Sequence, residues 1–409
     1  MMDKLRTRLP QLGGGDKVIW FIFIFLGICS MVLIYSASSN QLFSPTERHN
    51  LLPFVRAHGM YLIIGWLVAF FIQFMDYRKI APFSRLSWLL ALVIIVCTLL
   101  FGGGETDIVK RSVSIFGMKI QTFYVVLFLV IIYMANELAH AGKRINERRK
   151  YYMFLCFVGV ICLLLMTQNV STAIILVFTT LFMLFISDLN WKPFWATVGL
   201  LGAVFVILVI TSGFHLNALD RFATVHARVE RFFQAPEDTR TYVENMTERE
   251  VDNIRQDIQL EGAVATGGFF PVNGPGKSIY SNMPQSYSDC IFAIAVEEYG
   301  AIFGVILLSM YLILFYRIFL IIQRVPNAFG AYLAGGFGFW ITLQALMHIS
   351  VCVGVMPNTG QTLPMVSWGN VSIMMTSICF GFILSISRTT GNEKVSVSQQ
   401  QETEEVEGE

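Results

Sequence analysis

Charged residues are scarce in this chain of 409 residues. Lys and Arg together number 29 and Asp and Glu 28, so 14% of the residues carry charge, whereas soluble domains carry about 25%. In contrast, 55% of the residues are apolar and the mean hydropathy is +0.61. A chain of this length cannot bury so much apolar surface in water-soluble cores. The composition therefore predicts a membrane protein and excludes soluble, disordered and nucleic-acid-binding classes.

Cysteine is also sparse, and its placement excludes two kinds of site. The 7 cysteines lie in or beside apolar segments, and none forms a Cys-x-x-Cys pair. We therefore expect thiols that pack as small apolar groups, with neither a disulfide framework nor a metal site. The first apolar segment, 18–38, is too long for a cleavable signal and lacks a small-residue cleavage site. It predicts a retained first helix.

Long apolar runs fill most of the chain. A helix needs about 20 mostly apolar residues to cross a membrane, and about ten runs approach that length. The sequence therefore predicts an all-α polytopic membrane protein with about ten transmembrane helices. Thr167, Gln168 and Asn169 make the weakest division, and a re-entrant hairpin there would change the count but not the orientation. The runs are 18–38, 59–75, 86–102, 121–138, 152–166, 168–187, 194–212, 290–316, 328–353 and 366–387.

Basic residues in the short loops set the orientation of such a bundle. Seventeen of them collect on one side when the N-terminus is cytoplasmic, and the other side has only Arg48, Arg56, Lys110, Arg111 and Lys119. Both termini are therefore predicted to be cytoplasmic. The predicted divisions are a cytoplasmic N-terminus at 1–17, helices 1–7 at 18–212, one large extracytoplasmic loop between helices 7 and 8 at 213–289, helices 8–10 at 290–388, and an acidic disordered tail at 389–409.

The predicted outer loop is the most polar part of the chain, with 7 basic and 11 acidic residues in 213–289. Within it, apolar residues of the stretch 238–261 recur at close to helical spacing, which predicts an amphipathic helix on the outer leaflet. Guanidinium groups match phosphate oxygens in pairs. Arg111, Arg228 and Arg231 are therefore candidates for binding a phosphate-bearing outer substrate, although they are equally compatible with ordinary loop charges.

Three carboxylates near the end of this loop are candidates for chemistry, because ionisable groups in a membrane are costly. Asp289 lies at the mouth of helix 8, and Glu297 and Glu298 follow inside it. On an ideal helix the two glutamates lie roughly 80° and 180° around from Asp289, so all three face one cavity only if the helix is broken. Asp289 is compatible with a helix cap as well as with catalysis. The glutamates are also compatible with hydrogen bonding between helices.

A stretch rich in turn-forming residues, 356–370, separates helices 9 and 10. It contains Pro357 and Pro364 in an apolar neighbourhood, so it cannot be helical throughout. Irregular backbone at membrane depth is tolerated only where it is buried in protein or lines a wet cavity. The stretch therefore predicts a re-entrant turn that forms a cavity wall.

Three ordered blocks of the sequence, at 169–173, 274–300 and 344–364, together resemble the SEDS family, the shape, elongation, division and sporulation polymerases of the bacterial cell wall. Asn169 to Ala173 is similar to the family's PDLGTA segment. Gly274 to Gly300 is similar to GxGxS…PExHxDFIFAxxxEExG, and Gln344 to Pro364 is similar to Q…GLxPxTGxxLP. The helical layout with one large outer loop also fits, so the resemblance spans nearly the whole chain.

The chain departs from the family pattern in three places. Around helix 4, only the Arg of the NGxxRW motif (Arg111) and the Gln of the QPSE motif (Gln121) are present. A role of the QPSE glutamate therefore cannot be assigned to a residue of this chain. The sequence around Asp289 and Tyr299 is more similar to the division proteins of the family than to the elongation proteins. The replacements are Thr122, Phe123 and Tyr124 for Pro-Ser-Glu, Tyr287 for a usual His, and Ser367-Trp368-Gly369-Asn370 for SYGG.

The resemblance implies a peptidoglycan glycosyltransferase that polymerises lipid II on the outer face of the cytoplasmic membrane. Asp289 matches the family's essential aspartate, and we expect it to be the general base. A divalent cation (Mg²⁺ or Mn²⁺) is an expected helper for the leaving diphosphate, with no tightly bound cofactor. The expected substrate-binding residues are Arg111, Arg228, Arg231, Lys277, Glu297, Glu298, Pro357, Thr359, Gly360, Pro364 and Ser367.

The resemblance also implies partners and a location. We expect a class B penicillin-binding protein (a transpeptidase), other divisome proteins, lipid II and membrane lipids as partners, and no nucleic acid. The expected location is the bacterial cytoplasmic membrane, at the division septum. Two alternatives remain open. A lipid II flippase would need charges through both leaflets, and a non-catalytic divisome or elongasome scaffold would tolerate the loss of Asp289.

Overall fold

Long helices make up most of the protein. The computed structural model describes residues 15–39, 51–102, 112–115, 118–212, 259–270, 274–275, 277–278, 287–357 and 359–407. Within these residues a short helix lies at 259–266. The long helices are α1 (Lys17–Ser39), α2 (Leu51–Ile72), α3 (Ser84–Phe101), α4 (Thr122–Ala141), α5 (Arg148–Gln168), α6 (Val170–Phe185), α7 (Trp191–Ser212), α8 (Ile291–Arg324), α9 (Ala328–Cys352) and α10 (Asn370–Glu407).

The predicted helical, polytopic membrane architecture is confirmed. In the described part of the chain, α1 to α5 and α8 to α10 contain 8 spans that are long and apolar enough to cross a membrane. The apolar helix α6, Val170–Phe185, is shorter than these spans. The long helices coincide with the predicted runs, but the exact number of crossings and the large outer loop stay predictions, as does the orientation.

A short β-hairpin precedes α4. Strands β1 (Ser112–Ile115) and β2 (Met118–Gln121) form an antiparallel hairpin in which Ser112 pairs with Gln121. The prediction of an all-α chain missed it, because two four-residue strands give no apolar run. β-Branched Val113, Ile115 and Ile120 suit this pairing. The hairpin leads directly into α4.

The helices divide into central and peripheral ones. The spans of α4, α9 and α10 are 72%, 78% and 72% buried, whereas those of α2, α3 and α8 are 22%, 28% and 28% buried. The peripheral helices expose large apolar side chains, among them Phe71 of α2 and Leu89 of α3. These surfaces match a bundle whose outer faces contact lipid.

Small residues bring the helices close together. A Cβ on Gly338 of α9 would lie 2.3 Å from the Cδ1 atom of Ile318 in α8, and a Cβ on Gly65 of α2 would lie 2.4 Å from the Oγ atom of Ser377 in α10. Side chains larger than hydrogen would push these helices apart. Close backbone approach of this kind is the usual way in which membrane helices gain packing energy.

Two predictions for the polar segments have different outcomes. The helix α10 continues to Glu407, which differs from the disordered tail predicted for 389–409. Glu and Gln, which dominate 399–407, are good helix formers that can extend an existing helix. The amphipathic helix predicted for 238–261 lies outside the described residues up to 258. Residues 259–261 are the first of the short helix.

Candidate active site

Asp289 lies in the turn 287–290, directly before α8. The hydroxyl of Ser288 donates to its Oδ1 atom over 2.6 Å. The residue in the capping position of α8 is Cys290, which makes no side-chain capping bond. Asp289 thus lies one residue before the capping position of α8. Its side chain is half-buried.

The carboxylate of Asp289 meets the irregular loop 353–369 between α9 and α10. Its Oδ2 atom lies 3.6 Å from the point where a Cβ on Gly360 would stand, and Gly360 has a φ of 62°. This left-handed conformation favours glycine, since a side chain there crowds its own backbone. Gly360 thus lets the loop approach Asp289 closely.

The start of α6 joins the same site. Asn169 caps this helix by accepting from the backbone N–H of Thr172 over 3.3 Å. The hydroxyl of Ser171 donates to the carbonyl of Thr359 over 3.3 Å, and the Gln361 amide donates to the hydroxyl of Thr172 over 3.3 Å. All three sequence blocks therefore meet here, although more than 100 residues separate the first from the second.

Side-chain donors from the surrounding helices satisfy the carbonyls of this loop. His348 Nδ1 donates to the carbonyl of Gln361 over 2.7 Å, and Gln344 donates to that of Thr362 over 2.8 Å. Tyr311 donates to Pro364 over 2.6 Å, and Ser30 to Val366 over 2.7 Å. An irregular segment can be buried in a membrane only when its polar backbone is bonded in this way. The buried irregular turn predicted for this stretch is present, and its role as a cavity wall stays a prediction.

The loop also fixes the turn that carries Asp289. The hydroxyl of Ser367 accepts from the backbone N–H of Leu363 over 2.7 Å and donates to the carbonyl of Ser288 over 2.6 Å. One residue further, the backbone N–H of Trp368 donates to the carbonyl of Tyr287 over 2.9 Å. Asp289 is therefore held by the loop as well as by α8.

The two glutamates make separate contacts. Both are fully buried. Glu297 accepts a hydrogen bond from the hydroxyl of Ser278, and Glu298 accepts one from Ser36 of α1. α8 is broken at Gly300, where φ is 84°. Because this break follows both glutamates, it does not turn them toward the side of Asp289.

Tyr124 is a site residue that the sequence did not single out for binding. It is fully buried, and its hydroxyl lies 2.5 Å from the Thr362 hydroxyl and accepts from Gln344 over 3.3 Å. In the family pattern this position is the glutamate of QPSE. The departure from that motif was the available signal, and here a tyrosine hydroxyl contacts the loop.

An aromatic cluster borders the turn. Trp368 stacks on Phe54 with ring centroids 3.9 Å apart and on His58 at 5.4 Å, and it meets Tyr287 edge-on at 6.4 Å. Trp368 and Tyr287 both depart from the family pattern, so two of the replacements are in contact. The Ser30 hydroxyl donates to Val366, and His58 Nε2 therefore donates to Ser30 over 2.7 Å.

The predicted substrate-binding residues fall into three groups. Thr359, Gly360 and Ser367 belong to the contacts around Asp289, and Pro364 lies in the same loop against α8. Pro357 is half-buried, and Lys277 is exposed. Arg111, Arg228 and Arg231 lie outside the described residues. Within the described residues, no cluster of three or more His, Cys, Asp or Glu side chains is placed to hold a metal ion.

Comparisons with known proteins show what the chain is similar to. Residues 16–392 match the family FTSW_RODA_SPOVE, described as "Cell cycle protein". The chain is 26% identical over 381 residues to a "Probable peptidoglycan glycosyltransferase FtsW" of Coxiella burnetii, covering 91% of this chain and 96% of the relative. It is 26% identical over 378 residues to "Stage V sporulation protein E" of Bacillus subtilis, covering 91% of this chain and 97% of the relative.

Solved structures share the fold. One is a chain of a structure described as "Structural coordination of polymerization and crosslinking by a peptidoglycan synthase complex". Its TM-score is 0.71 at 19% identity, and the match covers 92% of this chain and 98% of that chain. Another is the rod shape determining protein RodA of Thermus thermophilus, with a TM-score of 0.63, 18% identity, and coverage of 93% and 98%. At these identities the likeness shows the fold.

Proposed function

Because this chain belongs to the FtsW, RodA and SpoVE family of cell cycle proteins, we propose that it is a peptidoglycan glycosyltransferase. It polymerises lipid II into glycan strands on the outer face of the bacterial cytoplasmic membrane. The observation that carries the proposal is the meeting of three separate sequence blocks at Asp289. A relative with 96% of its length covered is named as a probable peptidoglycan glycosyltransferase, which supports the same activity.

The chemistry assigns one role to Asp289. A hydroxyl of one lipid-linked sugar attacks the anomeric carbon of another, a new glycosidic C–O bond forms, and the bond from that carbon to the diphosphate breaks. Undecaprenyl diphosphate leaves with the bonding electrons. The attacking hydroxyl loses its proton to the Asp289 carboxylate, which acts as general base. Ser288, which donates to Oδ1 over 2.6 Å, orients the carboxylate.

The leaving diphosphate needs cationic groups. We assign this role to Arg111, Arg228, Arg231 and Lys277, in keeping with the pairwise match between guanidinium and phosphate oxygens. A divalent cation stays a prediction. Mg²⁺ is commonly held by one or two carboxylates together with substrate phosphates, and Asp289 supplies one carboxylate. No step of the proposed reaction depends on the cation.

The biological setting is proposed from the relatives. Several relatives are named FtsW, which supports a role in division and a location at the septum. The distribution of basic residues among the short loops supports a cytoplasmic location for both termini. The synthase complex among the similar structures combines polymerization with crosslinking. It supports a class B penicillin-binding protein as the partner, together with other divisome proteins.

The test is lipid II polymerisation by the purified protein with its cognate class B penicillin-binding protein, whose transpeptidase is inactivated. Wild type is compared with Asp289→Asn and Asp289→Ala, and the matched control is Asp76→Asn. Asp76 is an exposed carboxylate that accepts from the backbone N–H of Arg78 over 3.0 Å, a bond that asparagine can also accept. We expect glycan strands from wild type and the control, and a loss of at least 100-fold in both Asp289 variants.

Other outcomes have distinct meanings. Full activity of Asp289→Asn would show that Asp289 is not the general base, while the polymerase activity itself would stand. Absence of strands from wild type in an intact complex would reject the polymerase and favour a flippase or a scaffold. Transport of lipid II across vesicle membranes would then identify the flippase.

A further inference from the structure

A second polar site lies at the far end of α4 from Asp289. A cavity of about 790 Å³ opens between the ends of α3, α4 and α5. Tyr124, at the start of α4, belongs to the active site, whereas His140, in its last turn, lines this cavity. Sixteen residues of helix place the two about 24 Å apart along the helix axis. The cavity is therefore separate from the proposed polymerase site.

Basic side chains form the rim of this cavity. They are Arg85 of α3, Arg144 of the turn after α4, and Arg149 and Lys150 in the first turn of α5. Two acidic residues also line it. Glu147 pairs with Lys150 over 3.3 Å, and Glu137 is the second acidic residue. Because the basic residues outnumber these two, the rim has a net positive charge. Arg144 donates to the carbonyl of His140 over 3.2 Å.

Arg85 and Arg149 are available for an outside anion. Both are exposed, and neither forms an ion pair within the part of the chain that the structure describes. The helix α5 begins beside them, and its capping residue Glu147 makes no side-chain capping bond. The N–H groups of the first turn add a positive helix end to the two guanidinium groups.

The floor of the cavity is aromatic. The ring centroids of Trp88 and Phe157 are 4.8 Å apart in an edge-on contact. The ring centroid of Tyr133 lies 6.0 Å from that of Phe157 and 6.3 Å from that of Trp88. The indole N–H of Trp88 donates to the carbonyl of Phe157 over 3.0 Å, which fixes the ring in place. The floor thus offers a rigid apolar surface below the charged rim.

The sides of the cavity continue into the lipid-facing surface. Leu89 of α3 is 50% exposed and Met153 of α5 is 49% exposed, and Met153 lines the cavity itself. A ligand with a charged head and an apolar tail can therefore place its head among the arginines and extend its tail along α3 and α5. A free anion would use only the rim.

We infer that this cavity binds an anionic phospholipid, with its phosphodiester at Arg85 and Arg149 and its acyl chains over Trp88 and Phe157. Basic pockets between membrane helices on the cytoplasmic side are suited to such headgroups, and this end of the bundle is predicted to be cytoplasmic. The volume lies in the range of small-molecule sites. The inference is independent of the polymerase activity.

The test measures lipids retained by the full-length protein in native mass spectrometry. The probes are phosphatidylglycerol and phosphatidylcholine with the same acyl chains, and glycerol 3-phosphate without chains. The variant is Arg85→Gln with Arg149→Gln. The matched control is Lys143→Gln with Arg324→Gln, which removes two exposed charges at the same predicted face but outside the cavity lining. A third protein, Arg85→Lys with Arg149→Lys, keeps the charge.

We expect wild type, the control and the lysine variant to retain phosphatidylglycerol severalfold more than phosphatidylcholine, and the glutamine variant to lose that preference. Equal retention of the two lipids by wild type would overturn the inference. So would an equal loss in the control, because general surface charge would then explain binding. Retention of glycerol 3-phosphate as strong as that of the lipid would assign the rim to a free phosphate. If the glutamine variant does not fold, lipid preference in wild type and competition by cardiolipin decide the question.

Discussion

The hydroxyl of Ser367 donates a hydrogen bond of 2.6 Å to the carbonyl of Ser288, the residue before Asp289. The same hydroxyl accepts from the backbone N–H of Leu363. One buried oxygen thus connects the loop after α9 with the turn before α8. The position of the proposed base therefore depends on a residue 78 positions away, and not only on its own helix.

Replacing Ser367 with alanine should slow polymerisation. The substitution removes both hydrogen bonds and costs about 1–3 kcal/mol of unfolding free energy, because buried polar groups lose their partner. We expect kcat to fall about tenfold and KM for lipid II to change less, since the base moves while the other expected substrate-binding residues keep their places. The control is Ser309→Ala, whose exposed hydroxyl bonds only within its own helix. An unchanged kcat in Ser367→Ala would show that the link does not position Asp289.

Gly360→Ala tests the close approach of the loop to Asp289. A Cβ there adds the strain of a left-handed conformation, about 1–2 kcal/mol, and stands 3.6 Å from the carboxylate. Gly142→Ala is a control with a φ of 47° and nothing within 4 Å of its Cβ. We expect both variants to lose thermal stability but a large loss of polymerisation only in Gly360→Ala. Equal polymerisation by Gly360→Ala and Gly142→Ala would show that the close approach of Gly360 does not matter for the site.

Much of this architecture was predictable from the sequence, for a physical reason. The helices are long apolar runs, and a membrane demands such runs regardless of what they contact. The irregular loop followed from Pro357 and Pro364, which cannot lie in a continuous helix. The convergence at Asp289 was predictable only through the family resemblance, because the three blocks carry no internal signal of their distance in space.

Other parts of the site could not be read from the sequence. Ser30 donates to Val366 across 336 positions, and a single serine in an apolar helix looks like any other small residue. The contact between Tyr287 and Trp368 joins two departures from the family pattern, which only a structure can pair. The hairpin consists of two four-residue strands that give no apolar run, and the helical extension of α10 is a polar, acidic segment that reads as disordered in the sequence.

Substitutions of the buried glutamates Glu297 and Glu298 distinguish a hydrogen-bonding role from a proton-transfer role. Glutamine keeps an acceptor oxygen for the hydroxyl of Ser36 or Ser278 but cannot take up a proton. We therefore expect Glu298→Gln and Glu297→Gln to retain polymerisation within about threefold, whereas Glu298→Ala loses about 1–3 kcal/mol of unfolding free energy because it removes the buried hydrogen bond with Ser36. Lipid II turnover and thermal unfolding in detergent measure the two effects. A collapse of turnover in Glu298→Gln with unchanged stability would favour proton transfer.

The ion pair between Asp16 and Arg317 should contribute to the stability of the bundle. Arg317 donates to Asp16 Oδ2 through Nε over 2.9 Å and through Nη2 over 2.5 Å, and the Asp16 side chain is 8% exposed. Asp16 also accepts from the backbone N–H of Val18 over 2.9 Å. The pair therefore joins the start of α1 to α8, and its loss leaves a largely buried carboxylate without its cation.

Arg317→Gln should lower the unfolding free energy by about 1–3 kcal/mol, because a largely buried carboxylate loses its charged hydrogen-bond donor. It should therefore also lower the unfolding temperature in detergent. Glu147→Gln breaks the pair with Lys150, whose side chains are 39% and 56% exposed, and should cost less than about 1 kcal/mol because water screens exposed pairs. High salt should reduce the difference between wild type and Glu147→Gln more than that between wild type and Arg317→Gln, since burial limits screening. Equal costs in the two variants would mean that the Asp16 pair is as solvated as a surface pair. Polymerisation should stay near wild type in Arg317→Gln below its unfolding temperature, because Arg317 contacts none of the residues around Asp289 described above.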